Sequence, residues 1–152
     1  MSRIFVDTGA FIAVLSDADR YHGTALRLIE DSFAKRIGLV TTNHVIAETC
    51  NWLLKDRSAG HRLAVRFGGF VSQYCTPAGP DGCAHASLSH REVSIVYATP
   101  TSEERAWTIL RKYDTSGFSF TDCVSFAVME SLSITKALTF DEHFDIMGFE
   151  RI

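Results

Sequence analysis

Four acidic side chains lie at places in this sequence where carboxylates are typical of metal sites. Asp7 follows the apolar run RIFV, and Asp141 follows the run KALTF. Asp122 opens the apolar run CVSFAVM, and Glu48 lies inside the run HVIAETCNWLL. Open α/β sheets gather ligands at the carboxyl ends of their strands and at the helices that follow. The four positions therefore favour a metal site that is built from carboxylates.

Each acid, taken singly, also has a purely structural interpretation. Asp7 precedes Thr-Gly and suits a turn, Asp122 suits a helix cap, and Asp141 suits the cap of the helix-like run EHFDIM. Glu48 fits such an explanation less well, because it is predicted in the middle of a helix among apolar residues. A partly buried glutamate is costly there unless it is paired or bound to a metal. The joint pattern, rather than any single acid, favours the metal site.

Two threonines adjoin the predicted site. Thr8 follows Asp7, and Thr121 precedes Asp122. Their hydroxyls are suited to orient a carboxylate or a water molecule, and the alternative is that each bonds to its own backbone. We predict both threonines as supporting residues.

The strands and helices that must position these residues alternate along the chain. Strands are predicted at residues 3–6, 37–41, 93–97, 136–140 and 149–152. Helices lie between them, including one with an apolar stripe through residues 21–33 and one over about residues 43–55 that carries Glu48. This order predicts an α/β protein, a three-layer α/β/α sandwich with a mostly parallel central sheet of four to five strands. Asp7 and Asp141 would then face the same rim of the sheet.

Short-range signals predict where the helices start. The expected caps are Asp19, Thr42 or Asn43, Ser58, and Thr101 paired with Glu104 in a capping box. Gly68 and Gly69 weaken the prediction of the helix that Ser58 would begin. No internal repeat and no linker is visible, so we expect residues 1–152 to form a single domain.

Residues 75–91 are predicted to be a loop insertion, because proline and glycine break any period there. Two cysteines and two histidines in this stretch suggest zinc as an alternative: Cys75, Cys83, His85 and His90. Their spacing lacks the close pair that is usual in a structural zinc site, so we prefer the loop.

Composition limits the class of protein. A chain of 152 residues with 46% hydrophobic and 22% charged residues suits one packed globular domain. The apolar segment at the N-terminus is too short for a signal peptide, and no run approaches the roughly 18 apolar residues of a membrane span, so we expect a cytoplasmic protein with reduced cysteines. Two divalent ions on the four acids would change the formal net charge from −3 to +1, so the charge does not exclude an acidic substrate.

Three stretches of the sequence resemble those of PIN-domain ribonucleases, particularly the single-domain VapC-type toxins of bacterial toxin–antitoxin pairs. The stretches are FVDTGAFIAVL, HVIAETCNWLL and FSFTDCVSFAVMESLSITKALTFDEHFDIMGF, and the resemblance covers nearly the whole chain except residues 75–91. It implies a compact α/β/α sandwich, a requirement for Mg²⁺ or Mn²⁺, and cleavage of RNA by water.

The four acids match the acidic positions of this family in order. The resemblance places the family's acids at Asp7, Glu48, Asp122 and Asp141, and none of the four is missing. We expect Asp7 and Asp122 to be the principal metal ligands, and Glu48 and Asp141 to bind directly or through water. Whether one ion or two are bound stays open.

The resemblance also implies partners. We expect a homodimer and an antitoxin whose arginine enters the pocket of carboxylates, because a guanidinium forks onto a carboxylate through two hydrogen bonds. The helix of residues 21–33 and the helix that carries Glu48 are candidates for the groove that holds the rest of that antitoxin segment.

Weaker features complete the sequence prediction. His143 is either a substrate contact or an ordinary residue at a helix start. Basic residues suited to contact phosphate form two groups: Lys55, Arg57, His61, Arg62 and Arg66, and Arg105, Arg111 and Lys112. Trp52 and Trp107 fit core stripes better than base-stacking positions, so no base-reading residue is predicted.

Three other functional classes are alternatives to a toxin. A phosphotransfer domain is disfavoured, because Asp7 is not followed by a second aspartate and no glycine-rich phosphate loop is present. A PIN-like RNA-processing nuclease without an antitoxin, or a non-catalytic PIN-like interaction module, remains the alternative to a toxin.

Overall fold

Six short strands form one parallel sheet in the computed structural model, which describes residues 2–79 and 92–152. The strands are β1 (Arg3–Val6), β2 (Gly38–Thr42), β3 (Cys75–Pro77), β4 (Val93–Val96), β5 (Lys136–Leu138) and β6 (Glu150–Arg151). Their order across the sheet is β3-β4-β2-β1-β5-β6, and every pairing between neighbours is parallel. Strand β1 therefore lies in the middle, between β2 and β5.

Helices connect the strands, as a parallel sheet requires. The described residues contain α1 (Thr8–Leu15), α2 (His22–Ala34), α3 (Asn43–Leu53), α4 (Gly60–Tyr74), α5 (Pro100–Lys112), α6 (Phe120–Ser131) and the short α7 (His143–Ile146). The predicted α/β sandwich with a parallel sheet is confirmed, but the described sheet has six strands and not four to five, because the edge strand β3 was not predicted. In the part of the chain that the structure describes, no helix is both long and apolar enough to cross a membrane.

Helix α6 is the most deeply buried helix around the site. Residues 122–129 are all buried, which explains why the sequence of this helix is apolar on every side. The ring of Phe126 meets the ring of Phe144 at 5.0 Å between centroids, and Phe144 in turn packs on Phe5 of β1 at 6.2 Å. This aromatic row fixes α6 and α7 against the middle of the sheet.

The predicted caps of α2 and α3 have different outcomes. Thr42 caps α3, because its hydroxyl accepts the N–H of Val45 at 3.2 Å. Asp19 is not the cap of α2, since that helix begins after Tyr21. The carboxylate of Asp19 instead accepts the N–H of Tyr21 at 2.8 Å and stabilises the turn before the helix.

The predicted cap of α4 is also wrong. The helix begins at Gly60, after Ala59, and it is the carboxylate of Asp56 that accepts the N–H groups of Ser58 and Ala59. The helix then continues through Gly68 and Gly69 to its end, because its apolar face packs against the core and outweighs their low helix propensity.

Helix α5 starts earlier than predicted. Its capping box is formed by Thr99 and Ser102, and not by Thr101 and Glu104. The physical reason is Pro100, which occupies the first helical position, where its fixed φ suits the helix and its missing N–H costs nothing.

The prediction of a loop over residues 75–91 is wrong for its first three residues. Cys75–Pro77 form the edge strand β3, paired in parallel with Val93–Ile95 of β4. The pairing is made by backbone hydrogen bonds, so these residues need no alternation of apolar and polar side chains. Proline is tolerated because β3 is an edge strand. Residues 80–91, with Cys83, His85 and His90 of the zinc alternative, lie outside the described residues.

Candidate active site

The four predicted acids line one cavity at the carboxyl edge of the sheet. Asp7 directly follows β1, and Asp141 lies three residues after the end of β5. Asp122 is in the first turn of α6, and Glu48 is in the middle of α3, the helix that follows β2. The cavity has a volume of about 1100 Å³ and contains all four acids in its wall. The expectation that Asp7 and Asp141 face the same rim is therefore met.

Asp7 is the most deeply placed of the acids, with only 5% of its surface exposed. The hydroxyl of Thr139 donates to its Oδ2 at 2.9 Å. Burial raises the pKa of Asp7 from 3.8 to about 7, and the charges of Asp122 and Glu48 add to this effect, while hydrogen bonds from the backbone of Thr8 and from Thr139 oppose it. Without a cation, the site holds this carboxyl partly protonated near neutral pH.

Asp122 is both a helix cap and a wall of the cavity. Its Oδ2 accepts the N–H of Ser119 at 2.8 Å, and the Ser119 hydroxyl accepts the N–H of Asp122 at 3.1 Å, which makes a reciprocal capping box. Burial raises the pKa of Asp122, with smaller contributions from the charges of Asp141 and Glu48. Asp122 therefore takes part in the helix cap and also lies in the wall of the cavity.

Glu48 is held by two hydroxyls. Thr8 donates to its Oε2 at 2.6 Å, and Ser119 donates to its Oε1 at 3.5 Å. Thr8 thus orients a carboxylate from another element, and not that of its neighbour Asp7. Thr121, the second predicted supporting residue, lines the cavity, and its backbone carbonyl accepts the hydroxyl of Ser125.

His143 lies against two of the acids. Its Nδ1 is 3.2 Å from Asp141 Oδ2 and 3.4 Å from Asp122 Oδ2, although neither contact has the geometry of a hydrogen bond. Its backbone N–H donates to Asp141 Oδ1 at 2.9 Å, but the N-cap of α7 is Glu142, so Asp141 bonds just before the helix and is not its cap. Both interpretations of His143 from the sequence therefore remain compatible with its position.

The donor set fits a hard divalent cation. Carboxylates from four different elements converge, two of them buried, and burial of like charges is favourable only when a cation or protons balance them. Within the described residues, the closest group of possible ligand atoms is that of Asp122, Asp141 and His143, which lie within 4.8 Å of one another. Asp7 and Glu48 complete the wall outside that group.

Two site residues were missed in the sequence. Ser119 stands three residues before Asp122, which is the Ser-x-x-Asp signature of a capping box, so a signal was present. Thr139 is buried, and its hydroxyl donates to Asp7 and accepts the N–H of Asp141 at 3.1 Å. In the sequence it is merely one polar residue in an apolar run.

The two tryptophans are not core residues, contrary to the prediction. Trp52 is 50% exposed and Trp107 is 49% exposed. The buried face of α3 is formed by Val45, Thr49 and Leu53, and Trp52 lies beside that stripe. Trp107 packs on the ring of Phe120 at 4.3 Å, whereas Trp52 lines the acidic cavity.

The basic groups predicted to contact phosphate are dispersed. Of these residues, Lys55 alone lines the cavity, where Arg20 and Arg151 join it. Arg105 pairs instead with Glu130 of α6 at 2.8 Å, so it serves the packing of α5 on α6.

Fold and site together define an α/β protein with a carboxylate-lined centre at the carboxyl ends of its middle strands. The chain belongs to the PIN-domain family, since the family model described as PIN domain matches residues 4–150. The family predicted from the sequence is thereby confirmed.

Relatives of known function extend this result. The chain is 36% identical over 149 residues to the 23S rRNA-specific endonuclease VapC20 of Mycobacterium tuberculosis, covering 98% of this chain and 97% of that protein. It is also similar to the crystal structure of VapC20, described as a sarcin-ricin loop cleaving toxin, with a TM-score of 0.73, 33% identity and coverage of 96% and 95%.

More distant structures share the fold alone. VapBC2 from Rickettsia felis, bound to a DNA fragment from its promoter, has a TM-score of 0.62 at 12% identity, covering 99% of this chain and 97% of that chain. FitAcB from Neisseria gonorrhoeae has a TM-score of 0.58 at 10% identity, with coverage of 98% and 96%.

Proposed function

We propose that this protein is a metal-dependent endoribonuclease that acts as the toxin of a toxin–antitoxin pair. The observation that carries the proposal is the convergence of Asp7, Glu48, Asp122 and Asp141 on one cavity. The similarity to VapC20 over 98% of the chain supports RNA as the substrate and makes 23S rRNA the first RNA to test. Such an enzyme would work in the cytoplasm, where ribosomes are found.

The four acids would hold Mg²⁺ or Mn²⁺, with Asp7 and Asp122 as principal ligands and Glu48 and Asp141 binding directly or through water. A bound ion would neutralise the phosphate and lower the pKa of the attacking water. Because burial raises the pKa of Asp7 to about 7, ion binding would compete with a proton on this carboxyl and release it.

The hydroxyls around the acids would prepare the site before the ion arrives. Thr139 fixes the carboxylate of Asp7, and Thr8 with Ser119 fixes that of Glu48. Each bond removes rotational freedom from a ligand, so less reorganisation remains for the binding step. The buried positions of Asp7 and Asp122 also strengthen their electrostatic attraction for a cation.

Cleavage assays with purified protein test the nuclease. We expect activity on rRNA with Mg²⁺ or Mn²⁺, none with excess EDTA, and little with Zn²⁺, which favours nitrogen and sulfur ligands. Asp122→Asn should abolish cleavage, while Glu104→Gln, at an exposed acid of α5, should leave it unchanged. Full activity in EDTA would refute the metal mechanism.

Co-expression tests the toxin assignment. Expression alone should arrest growth, and co-expression with the protein encoded immediately upstream should give a stable complex with low ribonuclease activity. The complex should contain a dimer of this chain and an antitoxin arginine in the carboxylate cavity, which binding of a divalent ion would displace. Absence of both growth arrest and a partner would refute the toxin but leave the nuclease standing.

A further inference from the structure

Trp52 is a half-exposed indole in the wall of the acidic cavity. Half of its surface is open, and no aromatic ring contact of Trp52 is present within residues 2–79 and 92–152. Trp107 is equally exposed, but its ring already packs on Phe120 and it does not line the cavity. Trp52 thus exposes half of its surface and lines the same cavity as the four carboxylates.

The side of α3 that carries Trp52 faces the cavity, whereas the buried side of the helix runs through Val45, Thr49 and Leu53. Glu48, Asn51, Trp52 and Lys55 are spaced at i, i+3, i+4 and i+7, and all four line the cavity. This spacing places them along one side of the helix axis. With a rise of about 1.5 Å per residue, Trp52 lies about 6 Å along the axis from Glu48. Along the helix, the carboxylate of Glu48 is therefore followed by the indole of Trp52 and then by the ammonium group of Lys55.

A second cation enters the cavity from the other side. The guanidinium of Arg20 lies over the ring of Tyr21 at 4.5 Å from its centroid. The Tyr21 ring is stacked on Phe140 with centroids 4.0 Å apart and planes 3° apart, so both of its faces are covered. Phe140 follows β5 whereas α3 follows β2, the strands on either side of β1. Tyr21 therefore does not offer a stacking face itself but holds Arg20 at the rim.

The charges of these cations are available to a ligand. Of the three long basic side chains in the cavity wall, Arg151 bonds to Asp145 at 2.6 Å. Arg20 and Lys55 have no ion-pair partner among the residues that the structure describes. Unpaired cations beside a cluster of carboxylates are suited to phosphates that flank a metal-bound one, because they offset the repulsion between the acids and the RNA backbone.

We propose that Trp52 stacks on an unpaired RNA base next to the scissile phosphate, with Lys55 and Arg20 contacting the flanking phosphates. Such stacking requires an unpaired or looped-out nucleotide, because a base must leave its helix to cover an indole face. This inference rests on the proposed ribonuclease function and names how that site holds its substrate.

Tryptophan fluorescence gives a direct test of contact. The chain contains two tryptophans, so Trp107→Phe leaves Trp52 as the sole indole and Trp52→Phe leaves Trp107. Titration with a short single-stranded RNA oligonucleotide in Mg²⁺, with Asp122→Asn added to both proteins to prevent cleavage, should quench the fluorescence of the first protein and not of the second. A duplex of the same sequence should quench neither. Equal quenching of both proteins, or of neither by the single strand, would overturn the inference.

Kinetics then test the functional role. Trp52→Leu should raise KM for single-stranded RNA about tenfold and change kcat little, since the lost stacking contributes equally to ground-state and transition-state binding. Trp52→Phe should give an intermediate KM, because a smaller ring still stacks. Trp107→Leu is the matched control and should leave KM unchanged. Thermal melts of Trp52→Leu and Trp107→Leu should be similar to each other, since the two indoles are equally exposed.

The outcomes separate this inference from the function on which it rests. Wild-type protein that cleaves no RNA with Mg²⁺ or Mn²⁺ refutes the proposed function and the inference with it. Cleavage by wild type together with unchanged KM in Trp52→Leu refutes the inference alone. Loss of antitoxin binding or of dimerisation in Trp52→Leu, with KM unchanged, would assign the indole to a protein interface and also overturn it.

Discussion

Asp7→Asn should stabilise the protein in the absence of metal, although it removes a proposed ligand. Burial raises the pKa of Asp7 from 3.8 to about 7, so the folded chain holds its proton where the unfolded chain has already lost it. Between these two values the folded state binds more protons, and stability falls as pH rises; above about pH 7 the penalty is complete. At about 1.36 kcal/mol per pH unit, the penalty is about 4 kcal/mol.

Urea denaturation in EDTA, from about pH 4 to about pH 8, measures this penalty. Asparagine stays neutral and keeps an oxygen for the hydroxyl of Thr139, so the variant lacks this pH dependence while retaining the local hydrogen bond. The free energies of unfolding of the two proteins should therefore converge near pH 4 and differ by up to about 4 kcal/mol above pH 7, with the variant more stable. Added Mg²⁺ should stabilise wild type and reverse much of the difference.

Asp17→Asn, at an exposed turn residue, is the matched control and should follow wild type at every pH. Curves for wild type and Asp7→Asn that run parallel across the whole pH range would refute the reasoning. They would mean that Asp7 ionises in the folded protein as easily as in the unfolded chain, which burial at 5% exposure argues against.

Substitutions at three further positions probe the site and its scaffold. Asp122→Asn should lose cleavage but keep the capping box, leaving the metal-free protein as stable or more stable, whereas Asp122→Ala should lose about 1 kcal/mol of unfolding free energy in urea. Thr8→Val removes the hydroxyl that bonds Glu48, and kcat/KM should fall about tenfold without loss of fold. Gly60→Ala should cost about 1–3 kcal/mol in thermal melts, because the new Cβ would collide with the carbonyl of Leu53.

Each of these predictions has an outcome that would contradict it. A large loss of metal-free stability in Asp122→Asn would make that residue a structural cap alone. Unchanged kcat/KM in Thr8→Val would mean that Glu48 needs no orientation from this hydroxyl. Wild-type stability in Gly60→Ala would show that the turn between α3 and α4 yields to the added methyl group.

The fold was predictable because its main signals are long and repeated. Apolar runs of strand length alternate with amphipathic helical segments. Such alternation with short connections predicts that neighbouring strands of the sheet are parallel. The edge strand β3 could not be found in this way, since three residues of an edge are specified by backbone pairing with β4 and carry no period of their own.

The acids were predictable because each stands where an element begins or ends, and the sheet brings such places together. The hydroxyl partners were harder to predict. Thr8 adjoins Asp7 in sequence yet bonds to Glu48, since its direction from the first turn of α1 is set by the packing of that helix against α3.

Trp52 shows a different limit of sequence patterns. A period of about 3.6 residues shows which residues share a face of a helix but not which face is buried. Trp52 was predicted to lie on the core side of α3, and this prediction was wrong. The core side of α3 runs through Val45, Thr49 and Leu53, in which a threonine takes an inner position and the larger aromatic ring does not. Burial of Thr49 is possible because its hydroxyl donates to the carbonyl of Val45 at 2.8 Å.

The burial of residues 122–129 of α6 has a consequence for how the site moves. Amide protons within residues 123–129 should exchange with solvent only through global unfolding, because no partial opening exposes a helix that is covered on all sides. Asp122 would thus be attached to one of the slowest-exchanging parts of the molecule. The end of α3 has exposed residues on its outer face and should open far more often. One wall of the cavity would then keep a fixed geometry while the opposite wall adapts to different RNA sequences.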